Sequence, residues 1–304
     1  MVKNRLNCES ILGKDREAMS FANKEDYAVC RKLHKQYGTT YYLSSRIFPE
    51  PLRSRTDAIY GFVRTADEWV DNPGNHTKEW MHQQIEDFRT ELSNGLKGQC
   101  PHSPAMRAFV DVVILTKIPI EEPMMFLDAM AQDIDVHRYE TFEDLCGYMR
   151  GSAASVGMMM AYASETPMSD VIRNQAIILA NAMQMTNFLR DVQEDAARGR
   201  IYLPLEDLRS FGVPEEDVLM GSFTPSMKKL IEFEIERTRN MYADGEQGIP
   251  YLPKTAQKAV KTARVLYSRI LDRIEMQNYN VFAQRARTSR AEKLWVAAKI
   301  YLSP

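Results

Sequence analysis

The chain has 304 residues, with 39 basic and 41 acidic side chains and a formal net charge of −2 at pH 7, which excludes nucleic-acid binding through bulk positive charge. Hydrophobic residues make up 44% and charged residues 26%, enough apolar content for a sizeable core and too much for a globally disordered chain. Only 14 glycines stand against 18 methionines, a balance that favours helix over turn-rich β structure.

The opening residues, MVKNRLNCESILGKDREAM, lack the continuous apolar stretch of a secretory signal. No later run approaches the ~20 apolar residues of a membrane span. Cys8, Cys30, Cys100 and Cys146 are scattered without a C-x-x-C pair, and the five histidines show no metal-ligand spacing. Free thiols in a reducing cytoplasm are therefore expected rather than a disulfide or zinc framework. Turn signals are brief: Asn72-Pro73-Gly74-Asn75, Pro101 to Pro104, and Phe211-Gly212-Val213-Pro214. Between them apolar residues recur at helical spacing, and strand-type alternation is almost absent. Thr224 and Pro225 predict a helix start with Gly245 as its stop. Lys254 to Asn278 predicts another helix, with Ala259, Ala263, Leu266, Ile270 and Ile274 on one side. No internal repeat, low-complexity tract or flexible linker interrupts this pattern, so residues 1–304 read as one all-α domain.

Two segments place polar stripes on otherwise apolar helices. In DAIYGFVRTADEWVDNP, Ile59, Phe62, Val63, Ala66 and Val70 share one face. Tyr60, Arg64, Asp67 and Asp71 form a second stripe roughly 100° away. Asp67 and Asp71 thus stand one turn apart, where like charges cost a helix a few tenths of a kcal/mol. A lone D-x-x-x-D is ordinarily a solvated face. In AIILANAMQMTNFLRDVQED, however, Gln184, Asn187, Asp191 and Asp195 form a stripe flanked by Met183, Met185, Phe188, Leu189 and Val192. A helix apolar on most of its circumference is buried, and buried carboxylates are costly unless paired or metal-bound. Four carboxylates converging from two helices raise one another's pKa values. Mg²⁺ relieves this, because it favours carboxylate oxygens and bridges a few of them to phosphates. From spacing alone, a magnesium–diphosphate clamp and a structural polar network are both open.

Arg64 and Arg190 adjoin the aspartates, and Arg46 lies in the earlier YYLSSRIF. A guanidinium holds phosphate oxygens bidentately, although any one of these taken singly is ordinarily a surface arginine. Glu68 and Glu194 fit either supporting or solvated positions. GYMRGSAASVGMMMAYA presents the small residues Gly151, Ser152, Ala153, Ala154, Ser155 and Gly157 after Tyr148. They suit close helix packing and a ligand channel equally, and the methionines that follow make an adaptable apolar wall. Asp128, Asp133 and Asp135 are poorly spaced for one face and read as solvated or capping residues.

Asp67-Glu68-Trp69-Val70-Asp71, preceded by Tyr60 and Arg64, and NFLRDVQEDAARGRIYLP from Asn187 to Pro204 resemble the two signatures of the squalene/phytoene synthase family. GYMRGSAASVG and ILDRIEMQNYNVF resemble further segments of it, and the similarity extends over about residues 30–290. GRIYLP and YMRGSAASVG most resemble its prokaryotic, phytoene-forming members. The resemblance implies an isoprenoid-synthase helical fold around a central cavity. It also implies head-to-head condensation of two geranylgeranyl diphosphates to phytoene through a cyclopropyl diphosphate. Mg²⁺ is the implied cofactor, with Mn²⁺ able to replace it, and NADPH is not expected.

By matching positions, the resemblance implies metal binding by Asp67, Asp71, Asp191 and Asp195. It implies diphosphate or metal-linked water contacts from Arg64, Arg190 and Asn187, and site tyrosines Tyr41, Tyr60, Tyr148 and Tyr202. Arg46, Gln184 and Tyr267 are implied as further contacts. Tyr60, Arg64, Tyr148, Arg190 and Tyr202 fall to the reacting atoms. Glu68 stands where many members carry an aspartate. Gln284 stands roughly where some carry an arginine, with Arg285 beside it, which leaves the C-terminal phosphate arginine open.

The nearest rival is a squalene or dehydrosqualene synthase acting on two farnesyl diphosphates, since chain length depends on cavity depth. A non-catalytic assembly scaffold of the same fold would have lost aspartates that this chain retains. A terpene cyclase usually carries a different second metal motif. Greasy substrates and products imply weak, peripheral membrane contact from the cytoplasm. The number of subunits is left open.

Overall fold

A computed structural model describes residues 20–302; the opening segment, with Cys8, lies outside them. The regular elements are all helical, with no strand among the described residues. In chain order they are α1 (Lys24–Tyr37), α2 (Thr39–Ser45), α3 (Leu52–Asp71), α4 (Lys78–Leu96), α5 (Pro104–Thr116), α6 (Glu121–Asp135) and α7 (Phe142–Met149). A π turn (Arg150–Ala154) leads into α8 (Ser155–Ala163), followed by α9 (Asp170–Ala197), α10 (Leu205–Phe211), α11 (Glu215–Met220) and α12 (Pro225–Gly245). A 3-10 turn (Glu246–Tyr251) then precedes α13 (Lys254–Met276) and α14 (Arg290–Leu302). No described helix is long and apolar enough to cross a membrane.

The turn signals fall between helices as their chemistry requires. Gly74 and Gly212 adopt φ of 60° and 64°, where a side chain is strained. Ser103 caps α5 by accepting from the Met106 amide at 3.0 Å, with Pro104 in the first turn. Thr224 caps α12 in the same way through Met227 at 3.1 Å, again with Pro at the first position. Gly245 ends the α-helix as predicted, but without a left-handed cap. Its φ is −65°, and the chain runs on through the 3-10 turn. Its missing Cβ serves packing instead, since a Cβ there would lie 2.6 Å from the Leu179 amide nitrogen of α9.

Burial follows the predicted faces. Ile59, Phe62, Ala66 and Val70 of α3 are buried with Phe88, Phe109 and Phe126 in one apolar cluster. Ala259, Ala263, Leu266, Ile270 and Ile274 of α13 are all buried. The 28-residue α9 packs against α8, α12 and α13 and so runs through the middle of the assembly. The small-residue segment does both things open to it. Gly151 lets α6 approach, since a Cβ there would sit 2.6 Å from the Met125 carbonyl oxygen. Ser152, Ala153, Val156, Gly157 and Met160 face a central cavity. The π turn re-aims the helix between these two surfaces.

Candidate active site

The cavity holds about 1040 Å³ and is walled chiefly by α2, α3, α8, α9, α13 and the segment before α14. Its polarity is graded along α9. Ile172, Ala176, Leu179, Ala180 and Met183 line it from the first half of that helix, and Gln184, Asn187, Arg190, Asp191 and Asp195 from the second. At 1.5 Å per residue this gradient from apolar to acidic spans about 35 Å. Ala256, Ala259, Val260 and Ala263 of α13 extend the apolar wall.

Asp67 and Asp71 of α3 face the same space as Asp191 and Asp195 of α9, so the two D-x-x-x-D stripes line one cavity. Burial, then the charge of Asp71, pushes the Asp67 carboxyl up to about 7. Burial and the charge of Asp191 do the same to Asp195, again to about 7. Asp71 and Asp191 are each met by two arginines. Arg200 Nη1 donates to Asp71 Oδ1 at 2.7 Å, with Arg198 3.8 Å from the other oxygen. Asp191 accepts bidentate pairs from Arg190 (2.8 and 2.6 Å) and Arg285 (2.8 and 3.0 Å). Against the pull of burial, these bonds hold Asp191 below the usual carboxylate range. Arg285 also lies 3.3 Å from Glu194, while Gln284 is exposed. Of the C-terminal arginines, Arg285 and Arg287 both line the cavity, and Arg285 is the one bonded to Asp191.

Arg198 and Arg200 were not singled out from the sequence, although both lie within the NFLRDVQEDAARGRIYLP motif. Gly199, at φ 74°, turns the chain after α9 so that both guanidiniums reach back to Asp71. Asp133 was misread. It is 5% exposed, not solvated, because its side of α6 faces inward onto Tyr148 and Tyr202, while Asp135 of the same turn faces out. It accepts from the Tyr148 hydroxyl at 2.6 Å and from the Tyr202 hydroxyl at 3.2 Å. Burial pushes it up to about 6. Asp128 and Asp135 are exposed, on Arg89 and on Lys78 with His82. Tyr148, Tyr202 and Phe188 stack beside the acid, with ring centroids of Phe188 and Tyr202 4.2 Å apart.

Tyr41, Tyr60, Tyr148, Tyr202, Tyr267, Gln184, Asn187 and Arg190 all line the cavity. Arg64 and Arg46 do not. Arg64 donates to Asp67 and Glu68 and lies over the Tyr37 ring at 4.3 Å, so it meets the site through those carboxylates. Arg46 is drawn away by a buried acid. Its Nη2 is 2.5 Å from Asp57, which also holds His34 Nδ1 at 2.7 Å. His34 in turn stacks on Tyr60 at 4.3 Å. Neither the Asp57–His34 pair nor Asp133 has a local sequence signal, since each partner comes from a different element of the chain.

The donor set fits a divalent cation. Asp195 has no ion-pair partner among the described residues, and Asn187 Oδ1 is buried without a hydrogen-bond donor. Hard oxygen donors of this kind suit Mg²⁺. No three acidic, histidine or cysteine side chains among the described residues already form a closed cage.

A helical fold in which two aspartate stripes and four arginines share one end of a deep apolar cavity defines a class of enzyme that ionises prenyl diphosphates. A sequence profile of the squalene/phytoene synthase family matches residues 34–292, and the chain belongs to that family. It is 36% identical to the 15-cis-phytoene synthase of Synechocystis sp. over 294 residues, covering 91% of this chain and 86% of the relative. It is 35% identical to the phytoene synthase of Arthrospira platensis, covering 86% and 88%. Among solved structures it resembles a ligand-bound dehydrosqualene synthase, with a TM-score of 0.83 and 27% identity over 91% of this chain and 95% of that one. A squalene synthase of Alicyclobacillus acidocaldarius gives a TM-score of 0.77 and 26% identity over 84% and 95%.

Proposed function

We propose that this enzyme condenses two geranylgeranyl diphosphates head to head, through a cyclopropyl diphosphate, to phytoene, releasing diphosphate. The observation that supports it most is the graded cavity, with paired D-x-x-x-D stripes and arginines at one end and an alanine- and methionine-rich wall at the other. The phytoene synthases among the relatives favour the C20 substrate over farnesyl diphosphate.

Asp67, Asp71, Asp191 and Asp195, with Asn187, would hold Mg²⁺ or Mn²⁺, which when bound supplies positive charge against the leaving diphosphate. Arg190 and Arg285 exchange their bidentate bonds to Asp191 for phosphate oxygens of similar geometry as substrate enters, and Arg198 and Arg200 turn from Asp71 to phosphate in the same way. Arg64 holds Asp67 in place. Departure of the diphosphate leaves an allylic cation; the second substrate's double bond attacks it, and a proton passes to the released diphosphate as the cyclopropane closes. The remaining diphosphate then departs, the cation rearranges and loss of a second proton gives phytoene. The Tyr148 and Tyr202 ring faces steady positive charge, with their hydroxyls fixed on Asp133. Tyr41, Tyr60 and Tyr267 line the same space, and Gln184 orients Asn187 through the 3.1 Å bond between their amides. The apolar wall keeps water from the cation.

Product analysis with C15 and C20 diphosphates, each with and without NADPH, tests this reading. A C40 hydrocarbon from the C20 substrate and Mg²⁺ alone is expected. Turnover of only the C15 substrate would overturn the chain-length assignment.

A further inference from the structure

The last helix carries a surface that the cavity chemistry does not use. Along α14, Ala291, Leu294, Trp295, Ala298 and Leu302 recur at helical spacing and all face outward. Leu294 is 61% exposed, Trp295 54%, Tyr301 64% and Leu302 81%. Single exposed apolar residues need no explanation, but a contiguous stripe of this size does. Cations flank it. Arg269 and Lys299 each lie 5.2 Å from the Trp295 ring centre. Lys258 donates to the Tyr301 carbonyl oxygen at 2.9 Å and lies beside its ring. Lys254 and Lys261 are exposed on the same stripe of α13 as Lys258. The only acid of α14, Glu292, is turned inward and neutralised by Arg269 and Arg273 at 2.8 and 2.7 Å. A protein of net charge −2 thus concentrates positive charge around one apolar stripe. The opposite edge of the helix belongs to the cavity wall, through Lys293 and the preceding Arg287 and Thr288.

We propose that α14 and the adjoining lysine stripe of α13 dock the enzyme on an anionic lipid surface. An apolar face with Trp and Tyr, rimmed by Lys and Arg, is how an interfacial helix meets headgroups and acyl chains. The charge complement is an anionic bilayer, and the place is functional. A membrane lying on α14 sits about one helix diameter, ~10 Å, from the cavity, so a greasy substrate or product crosses little water. The choice of lipid over a protein partner rests on the reading of the cavity as a polyprenyl diphosphate site.

Vesicle flotation of the full chain tests the surface without turnover, so its outcome is separate from that of the reaction assay. Binding is expected to phosphatidylcholine vesicles containing phosphatidylglycerol, weakening as salt rises, with Trp295 fluorescence quenched by brominated acyl chains. Leu294→Ser with Trp295→Ser should lower partitioning on the order of tenfold or more. Lys254→Gln with Lys261→Gln should lower it about fivefold per charge removed. Both double variants should keep wild-type helical content and turnover of detergent-dispersed substrate. Equal flotation with and without phosphatidylglycerol, or none with either, would overturn the proposal. So would a dimer of the chain that the Leu294/Trp295 variant dissolves, because the stripe would then join two copies.

Discussion

Replacing Asp133 by asparagine separates what this acid does for the fold from what it does for the reaction. In the wild type one carboxylate accepts both tyrosine hydroxyls, Tyr148 at 2.6 Å and Tyr202 at 3.2 Å. An amide offers one acceptor and one donor, so one hydroxyl loses its partner. A hydrogen bond to a charged group contributes about 1.5–3 kcal/mol. If about 2 kcal/mol of this serves to hold the rings against the cation, kcat falls about 30-fold, while KM changes little because the diphosphate contacts are untouched. Stability carries the opposite sign. The folded carboxyl ionises at about 6 rather than its ordinary 3.8. Its contribution is therefore fully present below about pH 4 and lost as pH rises through about 6. The loss is about 3 kcal/mol at neutral pH, from 1.36 kcal/mol per pH unit of displacement. Asp133→Asn escapes that cost. Its midpoint of thermal unfolding should lie below the wild type's at about pH 5 and approach or pass it at about pH 8. Steady-state kinetics and melting curves at those two pH values measure both effects. Unchanged kcat, or a midpoint difference that does not move with pH, would refute the reasoning.

Asp67→Asn and Asp191→Asn should each reduce turnover by on the order of 10³ or more while helical content is kept, since each removes an oxygen donor from the charge-bearing end of the cavity; circular dichroism beside product assay checks both halves. Arg285→Gln should slow the enzyme by on the order of 10²-fold, whereas Gln284→Ala should leave it near wild type, because only the former reaches Asp191. At the apolar end, a Cβ on Gly157 already lies 2.9 Å from the Ala180 Cβ. Gly157→Val should therefore narrow the wall and raise KM for the C20 diphosphate more than for its C15 homologue.

Legibility in the sequence followed the range of the interactions. The helical fold and the D-x-x-x-D stripes are local patterns, readable because a helix converts spacing into a face. Their placement on one cavity depends on the packing of α3 against its neighbours, yet the apolar flanks of α9 already required an internal setting for its acids. What escaped was long-range. Asp133 acquires its role only when Tyr148 and Tyr202 arrive from 15 and 69 residues away. Arg46 is implied at the diphosphate by its matching position, but Asp57 on α3 claims it. Arg198 and Arg200 sat inside a recognised motif, but their direction is set by the turn at Gly199. The π turn at Arg150–Ala154 has no compositional mark beyond its small residues.

The central claim is that the facing aspartate stripes ionise two C20 diphosphates in succession within one cavity. The most direct measurement is the amount of inorganic diphosphate released per C40 hydrocarbon formed, in Mg²⁺ without NADPH and again after chelation. Two diphosphates for every phytoene are predicted, with both products lost on chelation and restored by Mg²⁺ or Mn²⁺. One diphosphate per product, or diphosphate released with no C40 hydrocarbon, would contradict it.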